Sequence, residues 1–185
     1  MDRRVERTKR NIYLAFFELM KKKAMDDITI TELAAAADID RRTFYKHYAT
    51  VIDVYNEYKQ QLQDQLLQNL NECERPDGAL DYEEFFRRLE TIMESQLPFF
   101  QKLSSDQASM FLRYDCKDIL ESAFRDFYKD RFPGTREELD VYIAGLSYAI
   151  TGLGSDFLNR KPGLSFEEYF GLLVPHLQKL WVPRT

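Results

Sequence analysis

The segment Arg41–Tyr48 combines basic, hydroxyl and aromatic side chains in a pattern suited to contacts with a duplex nucleic acid. Arginines such as Arg41 and Arg42 can bind the edge of guanine through two hydrogen bonds, and Thr43 can offer thymine a hydroxyl or a methyl group. Three further side chains suit phosphate oxygens, contacts that orient a protein on the duplex without reading its sequence: Tyr45, Lys46 and His47. A basic surface helix without a partner has the same composition, so the surrounding elements must decide between the two interpretations.

Those surrounding residues predict a short helix, a tight turn and a second short helix. Thr31 is expected to cap an alanine-rich first helix, and Asp38–Asp40 to form a turn whose last residue caps the second. Ile39 fills the angle between the helices, while Phe44 and Tyr48, four residues apart, anchor the second helix to a core. This is the arrangement of a helix-turn-helix, which exposes its second helix to the major groove.

The first fifty residues differ in charge from the remainder of the chain. A helix with one apolar stripe is expected from about Val5 to Lys23. Residues 1–50 hold 11 basic and 8 acidic side chains, a net charge of +3, against −8 for residues 51–185 and −5 for the whole chain. A basic head on an acidic body suits a protein that presents one end to phosphates. A solvated, frayed terminus explains the basic excess equally well.

Residues from about Arg7 to Tyr58 resemble the DNA-binding domain of the TetR (tetracycline-repressor-like) family of bacterial regulators. The stretch ITITELAAAADIDRRTFYKHY carries the resemblance, above all its Thr-Phe-Tyr-x-His-aromatic ending. The resemblance implies an all-α homodimer, with a three-helix DNA-binding domain over residues 1–50 and a helical dimerisation and effector domain over 51–185. It also implies that Thr31 and two aromatic-rich positions contact phosphates, and that three residues face the bases. The phosphate-contacting pair is Tyr45 and His47, and the base-facing residues are Arg41, Arg42 and Thr43.

The chain departs from this family pattern at two positions. Many members have a small residue or glycine where Arg42 stands, which bears on how the bases are contacted. Many also carry a lysine at the start of the next helix, where this chain has Thr50 and Val51.

Beyond residue 50 the apolar periodicity predicts only helices. We expect them over Val51–Glu72, Tyr82–Gln96, Met110–Phe132, Arg136–Asn159 and Ser165–Trp181, with one more that Pro98 begins or kinks.

A stripe of small residues marks the penultimate helix as a candidate dimer interface. Gly145, Ala149 and Gly152 lie on one helix face, where a second helix can approach closely. The family resemblance favours pairing with a second copy, with Leu173 and Leu177 supplying the other helix, although a crowded core remains an alternative. A twofold dimer would place two recognition helices about 34–36 Å apart, on a pseudo-palindromic operator.

An effector pocket is a weaker expectation from the aromatic residues of this half. An apolar cavity for a small apolar or aromatic effector is drawn from five of them: Phe86, Phe100, Phe111, Tyr114 and Tyr148. Aromatic residues at helical spacing more commonly form a core.

Other function classes find little support in the sequence. The chain has two histidines, no glycine-rich phosphate loop and no zinc pattern, so neither an enzyme nor a bound cofactor or metal is expected. Cys73 and Cys116 are interpreted as reduced thiols. The charged N-terminus and the lack of a long apolar run predict a cytoplasmic location and no membrane partner.

The sequence therefore indicates a DNA-binding transcriptional regulator, working as a repressor that a small effector releases from its operator. Two alternatives remain open. One is a coactivator or adaptor of the same fold that acts through a protein partner, and the other is an architectural dimer without a small-molecule ligand.

Overall fold

The structure, a computed structural model, describes residues 3–100, 111–160 and 163–176. Within these ranges the chain is all-helical and contains no β-strand. The helices are α1 (Arg3–Met20), α2 (Ile30–Ala36), α3 (Arg41–Tyr45), α4 (Val51–Glu72), α5 (Tyr82–Phe100), α6 (Lys117–Tyr128), α7 (Arg136–Arg160) and α8 (Phe166–Gly171). A single 3₁₀ turn, Met25–Asp27, precedes α2, and a π-helical segment, Phe111–Cys116, precedes α6.

The chain divides into two compact units. The first contains the described residues up to Gln61 together with the last two residues of α5, and the second begins at Leu62. Helix α4 therefore contributes residues to both units.

The first unit has an apolar core built by α1, α2, α3 and the first half of α4. Ile12, Phe16, Leu33, Phe44 and Val54 are completely buried in it. These residues recur every three or four positions within their helices, so each helix turns one apolar stripe to the same centre. The order of elements is the one expected for a helix-turn-helix with a supporting first helix.

Helix α1 is shorter than its apolar pattern predicts. It ends at Met20 and not at Lys23, because the backbone N–H groups of Lys22 and Lys23 both bond to the Leu19 carbonyl and the chain turns. The Lys23 ammonium then pairs with Glu32 of α2 at 2.7 Å. A contact to a later helix thus fixes this end, which periodicity within α1 does not reveal.

The second unit is built around aromatic side chains. Phe85, Phe124, Phe127 and Phe170 are completely buried, and they pack with Tyr82, which is 2% exposed. The Tyr82 hydroxyl is hydrogen-bonded to the Tyr142 hydroxyl and lies 3.4 Å from that of Tyr128. Burial raises the pKa of all three phenols, so they stay neutral.

The predicted bounds of α4 are confirmed at both ends, and α7 runs one residue past its predicted end. Helix α5 is longer than predicted, because its backbone continues through Pro98 to Phe100. The predicted Met110–Phe132 helix is wrong as one regular element. It opens with the π-helical segment, and α6 ends at Tyr128, whose carbonyl accepts from both Arg131 and Phe132.

The last predicted helix, Ser165–Trp181, begins where expected, with Ser165 as its cap. It ends much earlier, at Gly171, after which Leu173 N–H bonds to the Phe170 carbonyl in a tight turn. Glycine is a poor helix former, which accounts for a break at that position. Trp181 lies outside the described residues.

Both cysteines are free, as expected. Among the described residues, no helix is long and apolar enough to cross a membrane, and no group of three acidic, histidine or cysteine side chains is placed to hold a metal ion.

Candidate nucleic-acid interface

The N-terminus of α2 is capped by Thr29 and not by Thr31, which corrects the sequence prediction. The Thr29 hydroxyl accepts from Glu32 N–H at 3.2 Å, and the Glu32 carboxylate accepts from Thr29 N–H at 3.0 Å. This reciprocal capping box has the spacing Thr-x-x-Glu, a sequence signal that identifies Thr29 when it is looked for. Thr31 is instead an exposed residue in the first turn of α2.

The turn between α2 and α3 is a Schellman motif. Asp38 N–H bonds to the Ala35 carbonyl at 3.2 Å, and Ile39 N–H bonds to the Ala34 carbonyl at 3.0 Å. Asp38 has a φ of 55°, a left-handed conformation that aspartate tolerates better than most non-glycine residues. The half-buried Ile39 then sits where the motif usually places its hydrophobic contact, in agreement with its predicted place in the angle.

Helix α3 is capped by Asp40, as predicted, but it ends at Tyr45. The Asp40 carboxylate accepts from Thr43 N–H at 2.6 Å, and this hydrogen bond lowers the pKa of Asp40. After Tyr45 the chain turns tightly, with His47 N–H and Tyr48 N–H both bonded to the Phe44 carbonyl. Phe44 and Tyr48 are buried with ring centroids 5.7 Å apart, so both predicted anchors are confirmed as core residues.

With its anchors buried, this segment turns most of its polar side chains to solvent. Arg41, Arg42, Tyr45 and Lys46 are exposed, whereas Thr43 and His47 are half-buried. Tyr45 is 50% exposed, although a tyrosine of a small helical unit would ordinarily bury its ring. The structure thus brings together on α3 and the turn after it the six residues that the sequence singled out there.

Arg41 and Tyr45 also contact each other across one turn of α3. The Arg41 guanidinium carbon lies 5.9 Å from the centroid of the Tyr45 ring, and its Nη2 is 3.5 Å from the phenol oxygen. This contact holds an exposed guanidinium and an exposed phenol side by side, where each can donate to an oxygen of a polyanion.

Part of the basic excess at the N-terminus is neutralised within the protein. Lys9 pairs with Glu57 of α4 at 2.6 Å, and its Nζ lies 5.7 Å from the centroid of the Tyr48 ring. The side chains of Arg3, Arg7 and Arg10 are exposed on α1. The local positive charge therefore comes from α1 arginines and from α3, and Lys9 has a structural partner instead.

Glu57 joins the end of the helix-turn-helix to α1 and α4, a role that the sequence gave no sign of. One carboxylate oxygen accepts from Lys9 and the other accepts from the Tyr48 hydroxyl at 2.5 Å. Beside them, Gln61 donates to the Tyr13 hydroxyl at 3.0 Å. Partial burial opposes ionisation of Glu57, but the hydrogen bonds from Lys9 and Tyr48 outweigh it, so its pKa is lowered. We call Lys9, Tyr48 and Glu57 the Glu57 clamp.

The first turn of α4 is capped by its own side chains. The Asp53 carboxylate accepts from Thr50 N–H at 2.7 Å and from Ala49 N–H at 3.1 Å, while the Thr50 hydroxyl accepts from Asp53 N–H at 3.3 Å. A phosphate at this helix end would have to displace that carboxylate. The structure thus adds a physical reason to the missing lysine at Thr50 and Val51.

The structure does not bring the aromatic residues of the expected effector pocket together. Phe86 is 1% exposed and packs on Phe170 with ring centroids 5.0 Å apart. Tyr114 and Tyr148 are 63% and 62% exposed, and Lys117 lies over the Tyr148 ring at 5.3 Å. The side chains of Phe100 and Phe111 lie outside the described residues.

The small-residue face of α7 is accessible within the single chain. Gly145 and Gly152 are exposed, and a Cβ atom added to either would meet nothing within 4 Å. The crowded-core alternative is therefore wrong for these two glycines. Ala149 and Leu173 are half-buried, and Leu177 lies outside the described residues.

Comparison with solved structures identifies the fold. The "Dihydroxyacetone kinase operon activator DhaS" is 19% identical, covers 93% of this chain and 94% of its own, and has a TM-score of 0.53. A TetR-family transcriptional regulator from Streptomyces coelicolor is 15% identical, with 97% and 82% coverage and a TM-score of 0.58. The TetR-family repressor AlkX from Dietzia sp. strain DQ12-45-1b, implicated in biodegradation of n-alkanes, is 17% identical, with 92% and 95% coverage and a TM-score of 0.50.

The chain thus has a TetR-like fold, with a helix-turn-helix and a helical C-terminal part, as the sequence predicted. All three of these structures are described as transcriptional regulators or operon activators. No model of a known protein family matches the sequence, and no curated protein matches it either.

Proposed function

We propose that this protein is a sequence-specific DNA-binding transcriptional regulator that inserts α3 into the major groove. The exposed face of α3, held from behind by the buried rings of Phe44 and Tyr48, carries this proposal. Arg41, Arg42 and Thr43 supply the base contacts. Tyr45, Lys46, His47 and Thr31 supply phosphate contacts that set the orientation.

The regulator acts as a homodimer that pairs through α7 and the residues after α8. Support comes from the exposed glycines of α7 and from three large apolar side chains that the single chain leaves uncovered. These are Val141, Tyr148 and Leu172, which are 74%, 62% and 67% exposed. Glycine in a helix interior weakens the helix by about 1 kcal/mol relative to alanine, so two exposed glycines without any intrachain contact favour a close approach by another helix.

In its working cycle the dimer represses transcription in the cytoplasm and leaves a pseudo-palindromic operator when an effector binds its C-terminal part. Effector binding would shift the population towards a state in which α4 no longer holds the recognition helices at the operator spacing. DNase footprinting of the purified protein on its own upstream region tests direct binding. Two protected half-sites one helical turn apart are expected.

An adaptor that keeps this fold but acts through a protein partner is the second candidate. The carboxylate of Asp53 at the first turn of α4 favours it, because that position then repels phosphate. One similar structure is described as an operon activator. Absence of any footprint from the pure protein, with a footprint restored by cell extract, would favour the adaptor.

Arg41→Ala should lower the affinity for the cognate operator by about 10- to 150-fold, equivalent to about 1–3 kcal/mol, and relax base preference at one position per half-site. The cause is loss of a bidentate contact to guanine. Fluorescence anisotropy with the operator and with single-base variants measures both effects. Arg136→Ala removes an equally exposed arginine from the start of α7 and should leave the affinity unchanged. An equal loss for both variants contradicts the assignment of α3.

Tyr45→Ala should instead weaken binding to every sequence by the same factor, because a phosphate contact does not discriminate between bases. The ratio of cognate to random-sequence affinity is the measurement, taken at one salt concentration. If that ratio falls, Tyr45 reads a base and the division of roles along α3 is wrong.

A further inference from the structure

An open polar cleft of about 270 Å³ lies between α4 and α5 in the second unit. One wall consists of the carboxamide side chains of Gln65, Gln68 and Asn69, and the other includes Thr91 and Ile92 of α5. These residues lie away from the aromatic core of the unit, so the cleft is separate from the aromatic pocket expected from the sequence. Its size suits a ligand smaller than a typical drug molecule.

Asn69 carries an unfilled hydrogen-bonding capacity at this wall. The residue is 5% exposed, and its Nδ2 has no acceptor among the described residues. The single contact to the amide is a weak one, in which Cys73 Sγ donates to Oδ1 at 3.5 Å. Leaving a buried amide donor without an acceptor is unfavourable. An acceptor that enters the cleft relieves this deficit once the amide turns towards it.

The charges at the cleft cancel one another. Arg88 is paired with Glu72 across the cleft and with Glu84 on its own helix, and the Glu72 carboxylate also accepts from Gln68 Nε2 at 2.8 Å. Neither the arginine nor the carboxylate is left to attract an ion. The groups that remain are carboxamides and the Thr91 hydroxyl, which act as donors and acceptors alike.

We propose that this cleft binds a small, uncharged polyhydroxylated molecule whose hydroxyl oxygen accepts a hydrogen bond from Asn69 Nδ2. Hydroxyl groups donate and accept, so they match the mixed carboxamide and hydroxyl lining without requiring a counter-ion. The ligand class is more polar than the aromatic residues of this half suggested. Its identification as the effector rests on the proposed regulatory function, whereas binding itself does not.

Titration of the ¹⁵N-labelled full-length protein with glycerol, D-ribose and D-glucose tests the site. The side-chain NH₂ resonances of Asn69 and the amide of Thr91 should shift saturably with at least one probe. Asn69→Leu should abolish that shift at Thr91 while the thermal midpoint stays equal or rises, because the substitution removes the unsatisfied group and keeps the volume. Asn56→Leu, at an exposed position of α4 in the first unit, should keep the shift.

The proposal is overturned if none of the three probes shifts Asn69 saturably, or if the shift at Thr91 persists in Asn69→Leu. No DNA is present in these titrations, so their failure is separate from failure of the DNA-binding proposal. Operator affinity measured with and without the bound probe then tests the effector role.

Discussion

Gly152→Leu is expected to convert the dimer into a monomer and to lower operator affinity by about 10²- to 10⁴-fold, because the two half-sites no longer bind as one linked unit. Gly152 is exposed and a Cβ atom there meets nothing within 4 Å in the single chain, so the leucine side chain is accommodated without strain in the monomer. It blocks only a helix from a second copy. Light scattering gives the mass, and anisotropy with the operator gives the affinity.

The helix propensity of leucine makes this prediction discriminating. Leucine in place of glycine favours the helical state by about 1 kcal/mol, so the monomeric unit should not lose intrinsic stability even though its assembly is lost. Gly163→Leu provides a matched control, since Gly163 is also exposed with open space around its Cβ position but precedes α8. A variant at Gly152 that stays dimeric with full affinity places the interface elsewhere.

Glu57→Ala is expected to destabilise the first unit by about 1.5–3 kcal/mol at neutral pH, because two hydrogen bonds to a charged group are lost. Lys9 and the Tyr48 hydroxyl both lose their acceptor, and Tyr48 anchors the end of the helix-turn-helix. Operator affinity should fall as well, since the recognition helix is held less firmly. Urea unfolding and anisotropy measure the two effects. Asp126→Ala, at an exposed carboxylate of α6, is the control.

The pH dependence of this effect has a defined sign. The pKa of Glu57 is lowered in the folded protein from its ordinary 4.5. A depressed carboxyl pKa gives stability that is present above the unfolded value and is lost as pH falls through the folded value. The difference between wild type and Glu57→Ala should therefore be largest above pH 4.5 and shrink on acidification. A difference that grows at low pH contradicts the clamp.

Tyr48→Phe separates the hydroxyl of the clamp from the packing of the ring. It should cost about 1 kcal/mol or somewhat more, and combined with Glu57→Ala it should cost less than the sum of the two single changes. Additive losses would show that Tyr48 and Glu57 act independently.

Much of the first unit was predictable because its signals are local. The bounds of α4 follow from an apolar stripe with a helical period, and Asp40 is a side chain that commonly caps helices. Phe44 and Tyr48 lie four residues apart, so burying one face of α3 necessarily exposes Arg41 and Arg42. The cap at Thr29 was missed even though its Thr-x-x-Glu spacing is equally local.

Other features depend on residues that are distant in sequence. Lys9 and Glu57 are 48 positions apart, and neither residue type predicts that this lysine is neutralised while nearby arginines stay exposed. The turn after Met20 depends on an ion pair with α2, and the three tyrosine hydroxyls of the second unit come from three separate helices.

The sequence by itself determined the helices of the first unit, their caps and the face of α3 that meets solvent, because helical periodicity and capping act within a few residues. Only the tertiary structure decided that α5 continues through Pro98, that the glycines of α7 face outward, and that Asn69 has a buried donor without an acceptor. Each of these depends on which helix packs beside which, and periodicity identifies an apolar face without naming the surface that covers it.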